Sequence, residues 1–286
     1  MRKLNLVIAK SFLSMLFLVV AFALAPKLTA EAVSNEELIA IGQIFDGAYY
    51  ATMYPDVAAA SNGSQLWLLN HYVISGITEG RNPCATFNAS EYMAKNPDLQ
   101  AVFGDNLHGY VYHYVNVGKY EGRDGTPSVG TDIVVDNKYT LLGIYSTEYD
   151  YEAPRGSNIK IAASHVNGTV VKPGATFSAN KAIGPRTTAN GFVEAPVFIN
   201  KEHAMGIGGG VCQVSSTIYA AMKVAGIKAT ERHPHSLPVY YLPDGWDATI
   251  SGNTLDLKFK NTYKNNIIVY ETANNGILTA ALYLEN

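Results

Sequence analysis

One of the chain's two cysteines, Cys212, stands where chemistry is easiest to arrange. The segment Gly206-Ile-Gly-Gly-Gly-Val-Cys-Gln-Val-Ser-Ser-Thr-Ile-Tyr219 runs a glycine-rich bend into a helical pattern that opens right after the cysteine, over Val214–Val224. The start of a helix carries unpaired N–H groups and the positive end of the backbone dipole. A thiolate placed there is stabilised, so it forms nearer neutral pH and becomes a nucleophile. The same N–H groups, around Cys212 and Gln213, suit the oxyanion of an acyl intermediate. Gly210 and its neighbours let a substrate approach the backbone closely. Ser215, Ser216 and Thr217 place hydroxyls on the helix beside the thiol, with Ser215 a candidate substrate contact. The bend lacks the Gly-Lys-Ser/Thr ending of a phosphate loop, which excludes that reading.

A nucleophilic cysteine needs a base, most often histidine. The segment Glu231-Arg-His-Pro-His-Ser-Leu-Pro238 offers two, His233 and His235, spaced so that both rings can face one side of an extended chain. One of the two is expected to be structural, and His233 is the expected one. A metal site of Cys212, His233 and His235 is the competing reading, without a fourth ligand spaced nearby. Asp247, in Gly-Trp-Asp-Ala-Thr, is placed either to orient the base or as a plain turn acid.

These groups need a scaffold, and the pattern from Tyr139 onward describes one. Strands are expected at Tyr139–Tyr149, Val170–Val171, Gly191–Ile199, Leu237–Leu242, Ala248–Ile250, Leu255–Asn261, Ile267–Glu271 and Ile277–Leu284, with a helix at Asn158–Asn167 in addition to the one after Cys212. The fold class is α+β, a mostly antiparallel sheet with one buried helix following the cysteine motif. Residues 42–127 differ in texture. Phe45, Tyr50, Pro55, Asp56, His71, Tyr72, Gly76, Glu79, Gly80 and Arg81 recur as Phe87, Tyr92, Pro97, Asp98, His113, Tyr114, Gly118, Glu121, Gly122 and Arg123, all at one offset. Such a period marks two stacked helical units. Each is expected to hold three short helices, with Gly76 or Gly118 as a left-handed cap. Two copies are fewer than a free-standing array needs, so they should lean on the C-terminal domain. Their His, Glu and Arg read as packing and turn-closing groups ahead of a site. Gly125–Thr131 opens a linker that runs through residues 128–138 to a C-terminal domain at 139–286.

The first 32 residues have the layout of a secretory signal: basic Arg2, Lys3 and Lys10, the apolar run Ser11–Ala25, and Ala30-Glu-Ala32 as a cleavage site. The run is short of the roughly 20 residues of a membrane span, so membrane contact is expected only if the signal stays uncleaved. Its removal leaves 17 basic and 23 acidic residues, a net charge of −6. That balance gives no electrostatic footprint for nucleic acid. Two cysteines in an exported chain of 286 residues are no disulfide framework; Cys84 and Cys212 either pair or leave Cys212 as a reactive thiol.

The residues carrying these patterns also carry a resemblance. Asn158-Ile159, Ala162-Ala163, Asn167-Gly-Thr-Val, Pro173-Gly, Phe177-Ser178, Gly184-Pro-Arg-Thr187, Gly191-Phe, Ala195-Pro196, Gly208 to Thr217, Glu231-Arg, His235-Ser236 and Asp247-Ala-Thr together resemble the VanW family over roughly residues 139–270. The preceding repeats resemble short helical repeats of clostridial surface proteins, which implies wall binding or spacing. Some clostridial VanW members are implicated as L,D-transpeptidases. The resemblance therefore implies a secreted, wall-located enzyme acting on peptidoglycan stem peptides through Cys212, without cofactor or metal. It favours His235 over His233 as the base, because the family often has another residue at the position of His233. Arg186 and Arg232 are then candidate partners for a stem carboxylate, or structural ion-pair residues, and Ser236 a candidate substrate contact. A non-catalytic wall-binding protein, a cysteine hydrolase of wall peptides and a metal-dependent amidase are the alternatives.

Overall fold

The computed structural model describes residues 33–199, 202–252 and 254–286; the expected signal at 1–32 lies outside them. In chain order the elements are α1 (Asn35–Ile44), α2 (Gly47–Met53), α3 (Pro55–Ser61), α4 (Gln65–His71), α5 (Ala89–Lys95), α6 (Gln100–Phe103) and α7 (Leu107–His113). Then follow β1 (Tyr139–Glu148), α8 (Pro154–Val166), β2 (Thr169–Val171), β3 (Thr176–Ser178), α9 (Ala179–Ile183), β4 (Glu194–Ile199), β5 (Glu202–Ile207) and α10 (Val211–Val224). The chain closes with β6 (Ala229–Glu231), β7 (Lys258–Lys260), β8 (Ile267–Asn274) and β9 (Ile277–Glu285). The fold is α+β. A four-stranded antiparallel sheet runs β1-β9-β8-β2, beside a three-stranded sheet β3-β7-β6 and a hairpin β4-β5. Among the described residues no helix is long and apolar enough to cross a membrane.

The four-stranded sheet is buried on both faces, which explains why β8 and β9 read as nearly continuous apolar runs. Ile267, Val269, Leu278, Ala280 and Leu282 point to one side, where α8 supplies Ile159, Ala162 and Val166 and α10 supplies Val214, Ile218 and Met222. Each such large side chain contributes about 1.5–3 kcal/mol by leaving water. Ile268, Tyr270, Ala281 and Tyr283 point to the other side, into a core shared with Leu38, Ile41, Leu66, Leu69 and Tyr72 of the helical units. The repeats thus cover a sheet face. Asn35 fastens α1 to β1 by accepting from Ser146 N–H (2.7 Å) and donating to its carbonyl (3.1 Å).

The two units correspond at their third helices: α4 and α7 begin at Gln65 and Leu107, and each runs on into a wider π-helical turn, Tyr72–Gly76 and Tyr114–Gly118; the second helix, continuous in α3, is a 3-10 turn at Pro97–Leu99 followed by α6 in the second unit. Their distinctive polar groups engage one another. Tyr50 bonds His71 (3.0 Å) and Tyr92 bonds His113 (2.9 Å). Arg81 pairs with Asp56 and Glu79, and Arg123 with Asp98 and Glu121. Gly76 and Gly118 do not form the expected left-handed caps. They lie against the hydroxyls of Tyr50 and Tyr92, where a side chain would collide, and the positive φ belongs to Gly80 and Gly122 (both 72°).

Two expected strands are absent. Leu237–Leu242 and Ala248–Ile250 are extended or turning chain; the backbone groups of the second stretch are taken by side chains and loops instead of a neighbouring strand. Ser216 Oγ accepts from Ala248 N–H (2.9 Å), the hydroxyls of Ser215 and Ser216 donate to Ala248 O, and Thr249 N–H donates to His233 O (2.7 Å). Leu255–Asn261 shortens to β7 for a related reason: Asp256 N–H donates to Glu231 and Leu257 N–H to the Asp256 carboxylate. The extended stretch at Gly191–Ile199 begins only at Glu194, and β3, β5 and β6 were not foreseen; β3 and β6 have only three residues each.

Candidate active site

The helix carrying the cysteine starts earlier than its periodicity suggests, so Cys212 lies within the first turn of α10. The turn is set by Gly210, the helix cap, at φ 100°, a conformation L side chains rarely adopt. Gly209 is there for space: a Cβ would stand 2.6 Å from the carbonyl oxygens of both Ala195 and Pro196. Asn158, fully buried on α8, staples the bend in place. Its amide donates to Gly209 O (2.9 Å) and Val193 O (3.0 Å), and its oxygen accepts from Val193 N–H (2.9 Å). Gly209→Ala is accordingly expected to cost at least about 2 kcal/mol, since backbone, not a flexible side-chain tip, must move. A thermal melt beside the parent protein measures it.

Three residues from separate segments converge at this turn. Cys212 is half-buried; its Sγ donates to Ile250 O (3.3 Å) and lies beside the His235 ring. His235 Nδ1 is held by the Asp247 carboxylate at 2.8 Å, leaving Nε2 as the nitrogen for the thiol; the same oxygen of Asp247 accepts from His235 N–H at 2.6 Å. Asp247 is in turn gripped by Arg232, whose Nη2 donates to Oδ1 (2.8 Å) and Nε to the backbone carbonyl (2.7 Å). Ser215 and Ser216 clamp Ala248 to α10 and so fix the carboxylate next to it.

The electrostatics follow from this chain. Burial pushes the Cys212 thiol up, but the hydrogen bond to His235, the Ile250 carbonyl and the charges of His235 and Arg186 outweigh it and hold the thiol below its ordinary range. Burial alone would lower His235; its contacts with Cys212 and Asp247 raise it instead. Asp247 resists the upward push of burial through the His235 backbone and ring and the Arg232 charge, and lies below the usual carboxylate range. A thiolate–imidazolium pair backed by a carboxylate is the state these shifts favour. Both cysteines are free. Burial raises the Cys84 thiol and only partly meets compensation from Thr86. Iodoacetamide at pH 7 should therefore label Cys212 well ahead of Cys84, which peptide mapping of a time course reads directly.

The other candidate residues are distributed around this centre. His233 turns away to Glu231 (3.1 Å). Among the described residues no cluster of three His, Cys, Asp or Glu could hold a metal ion. Gln213 was expected to face substrate, but its side chain is buried between Arg155 Nη2 (3.1 Å), Thr147 Oγ1 (3.0 Å) and Glu148 O (2.7 Å), and its N–H donates to Gly210 O (2.9 Å). Among the described residues the amides of Gly210 and Cys212 have no intramolecular acceptor, so the available N–H donors are Cys212, as expected, and Gly210 in place of Gln213. Ser215 is fully buried, its hydroxyl on Cys212 O and Ala248 O. Arg186 is partly buried, packed on Gly208 and bonded to Asn180 Oδ1 (2.5 Å), with its charge felt at Cys212. Ser236 is exposed beside His235.

Sequence reasoning missed Arg155, which bridges Gln213 to the hydroxyl of Tyr240 (3.2 Å) at the rim. It also missed the structural role of Asn158, though a lone amide in the apolar register of Ile159, Ala162 and Val166 was a readable signal. Tyr241, whose hydroxyl is raised by burial, had no signal at all.

The family described as VanW like protein matches residues 154–283. The chain is 35% identical over 158 residues to YoaR, an uncharacterized protein of Bacillus subtilis strain 168, covering 55% of this chain and 52% of that one. It is 28% identical over 124 residues to the vancomycin B-type resistance protein VanW of Enterococcus faecalis, covering 41% and 45%. The chain therefore spans about half the length of the curated relatives it matches. No solved structure matches it. Cys212, His235 and Asp247 all fall inside residues 154–283, the span that is similar to the VanW like protein family.

Proposed function

We propose that this chain is an exported cell-wall enzyme, an L,D-transpeptidase that forms crosslinks between peptidoglycan stems through a thioester on Cys212. The relay Cys212–His235–Asp247, with Arg232 bracing the carboxylate, carries this reading. The substrate class is drawn from a relative named for vancomycin resistance, an activity at the cell wall. The Cys212 thiolate attacks the carbonyl carbon of the third stem residue, and the N–H groups of Cys212 and Gly210 receive the oxyanion. The carbon–nitrogen bond to D-Ala breaks, and the His235 imidazolium gives its proton to the leaving amine. The side-chain amine of a second stem then loses a proton to His235, attacks the thioester carbon and expels the thiolate. The helical repeats would hold or space the enzyme at the wall.

Mass spectrometry of purified disaccharide-tetrapeptide after incubation with the protein lacking its signal segment tests the reaction type. The expected product is a crosslinked dimer that has lost one D-Ala. Shortened monomers without dimer would make the same triad a hydrolase. Unaltered substrate would leave a wall-binding protein.

A further inference from the structure

Lys223 and Lys228 stand on a groove that the triad does not use. It has a volume of about 580 Å³ and lies between the end of α10 and β6, with Tyr219 as its floor and Arg232 as its far wall. Lys223 Nζ is held over the rings of Trp246 (4.8 Å) and Tyr219 (5.9 Å), and the Arg232 guanidinium lies 5.2 Å from the centre of the same tyrosine ring. Among the described residues neither lysine has a carboxylate partner, and Nη1 of Arg232 has no acceptor, its other two nitrogens being taken by Asp247. Glu231, the acid on the wall, is already engaged by Lys258 (2.8 Å) and His233 (3.1 Å). The last carbonyls of α10 are also closed, by the N–H groups of Ala225, Gly226 and Ile227, so the negative end of the helix presents little bare oxygen here. The groove is therefore cationic in a chain that carries −6 beyond its first 32 residues.

Its position relates it to the thiol. Tyr219 follows Cys212 by seven residues on the same helix, about 10 Å at the helical rise, which is the reach of roughly three extended peptide residues. We propose that this groove is a substrate subsite that takes a free carboxylate of the stem peptide, with Lys223, Lys228 and Nη1 of Arg232 as its donors. This assignment rests on the stem-peptide reading above. Ammonium and guanidinium donors fit carboxylate oxygens, and the aromatic floor suits the aliphatic body of the peptide.

Trp246 is a built-in reporter. In a Cys212→Ala, Trp67→Phe protein, which cannot turn over and has one tryptophan, a tetrapeptide stem should change the fluorescence saturably. Amidating the stem's carboxylates, or replacing the exposed Lys223 and Lys228 together by alanine, should weaken binding about tenfold or more. Equal affinity for the amidated stem and in the double lysine variant would overturn the groove assignment, as would the absence of any saturable change. Intact mass of the protein with Cys212 present separates this from the reaction itself. A stem adduct with unchanged affinity in the lysine variant sinks the groove and keeps the thioester. Carboxylate-dependent binding in the groove without any adduct keeps the groove and sinks the thioester.

Discussion

Replacing Cys212 by alanine is expected to lower the acyl-transfer rate by about 10⁴-fold or more while shifting stability by less than about 1 kcal/mol. The two halves of this expectation come from different observations. Sγ makes one long bond to Ile250 O and lies beside the His235 ring, and the residue is half-buried, so its loss leaves a small defect. No neighbouring hydroxyl can replace it: those of Ser215 and Ser216 are buried and bonded to Ala248. Replacing His235 by alanine should cost nearly as much, and the double variant little more than either, because the pair acts as one unit. Single-turnover release of D-Ala with a thermal melt of each variant measures both quantities. A Cys212→Ala protein that keeps its rate, with an unchanged melt, would remove the thiol from the chemistry.

The second large effect concerns Asp247→Asn, which keeps the shape and removes the charge. Asp247 accepts from the His235 ring, the His235 backbone and Arg232. An amide offers one oxygen and one NH₂ group, so at least one of these donors meets another donor. The expected loss in rate is about 10³–10⁴-fold. The pH profile should narrow at both ends. In the proposed reaction the productive state is thiolate with imidazolium; its acid limit is the lowered thiol and its alkaline limit the raised imidazole. Without the carboxylate the imidazolium is less favoured, so the alkaline limb moves to lower pH. The thiol then loses part of its cationic partner, and the acid limb moves to higher pH. Stability has matching signs. Asp247 is depressed in the folded protein, so its contribution is present above its unfolded pKa and fades as pH falls through the folded value. His235 is raised, so its contribution is present below its unfolded pKa and fades as pH rises through the folded value. The asparagine variant should lose about 1–3 kcal/mol at neutral pH, with most of that deficit gone once Asp247 would be protonated in the parent.

How much of this was legible varies with the range of the interaction. The glycine-to-cysteine bend is a local signal, and so are a His-Pro-His segment and an acid a dozen residues later; the fold sets the His235 ring on Asp247 and beside Cys212. Which histidine turns toward the thiol was not local, because Glu231 captures His233 and Glu231 is itself placed by Lys258 across β6 and β7. Residues 248–250 carry the alternation of a strand, yet α10 takes the backbone groups of Ala248 through Ser216, a partner no periodicity reveals. Gln213 looked like a substrate contact by its nearness to Cys212. A residue one step along a helix points about 100° away, here into the Thr147 and Glu148 strand end. The repeats were legible because their period is short and repeated; the sheet face beneath them showed only as apolar residues on both sides of β8 and β9.

In the proposed reaction Cys212 carries the acyl group. Intact-protein mass spectrometry after brief mixing with disaccharide-tetrapeptide, followed by peptide mapping, tests it most directly. The predicted result is a covalent adduct equal to the stem without its terminal D-Ala, confined to the Cys212 peptide, absent in Cys212→Ala and discharged by an added amine. Free D-Ala released while every cysteine stays unmodified, or an adduct that persists in Cys212→Ala, would contradict it.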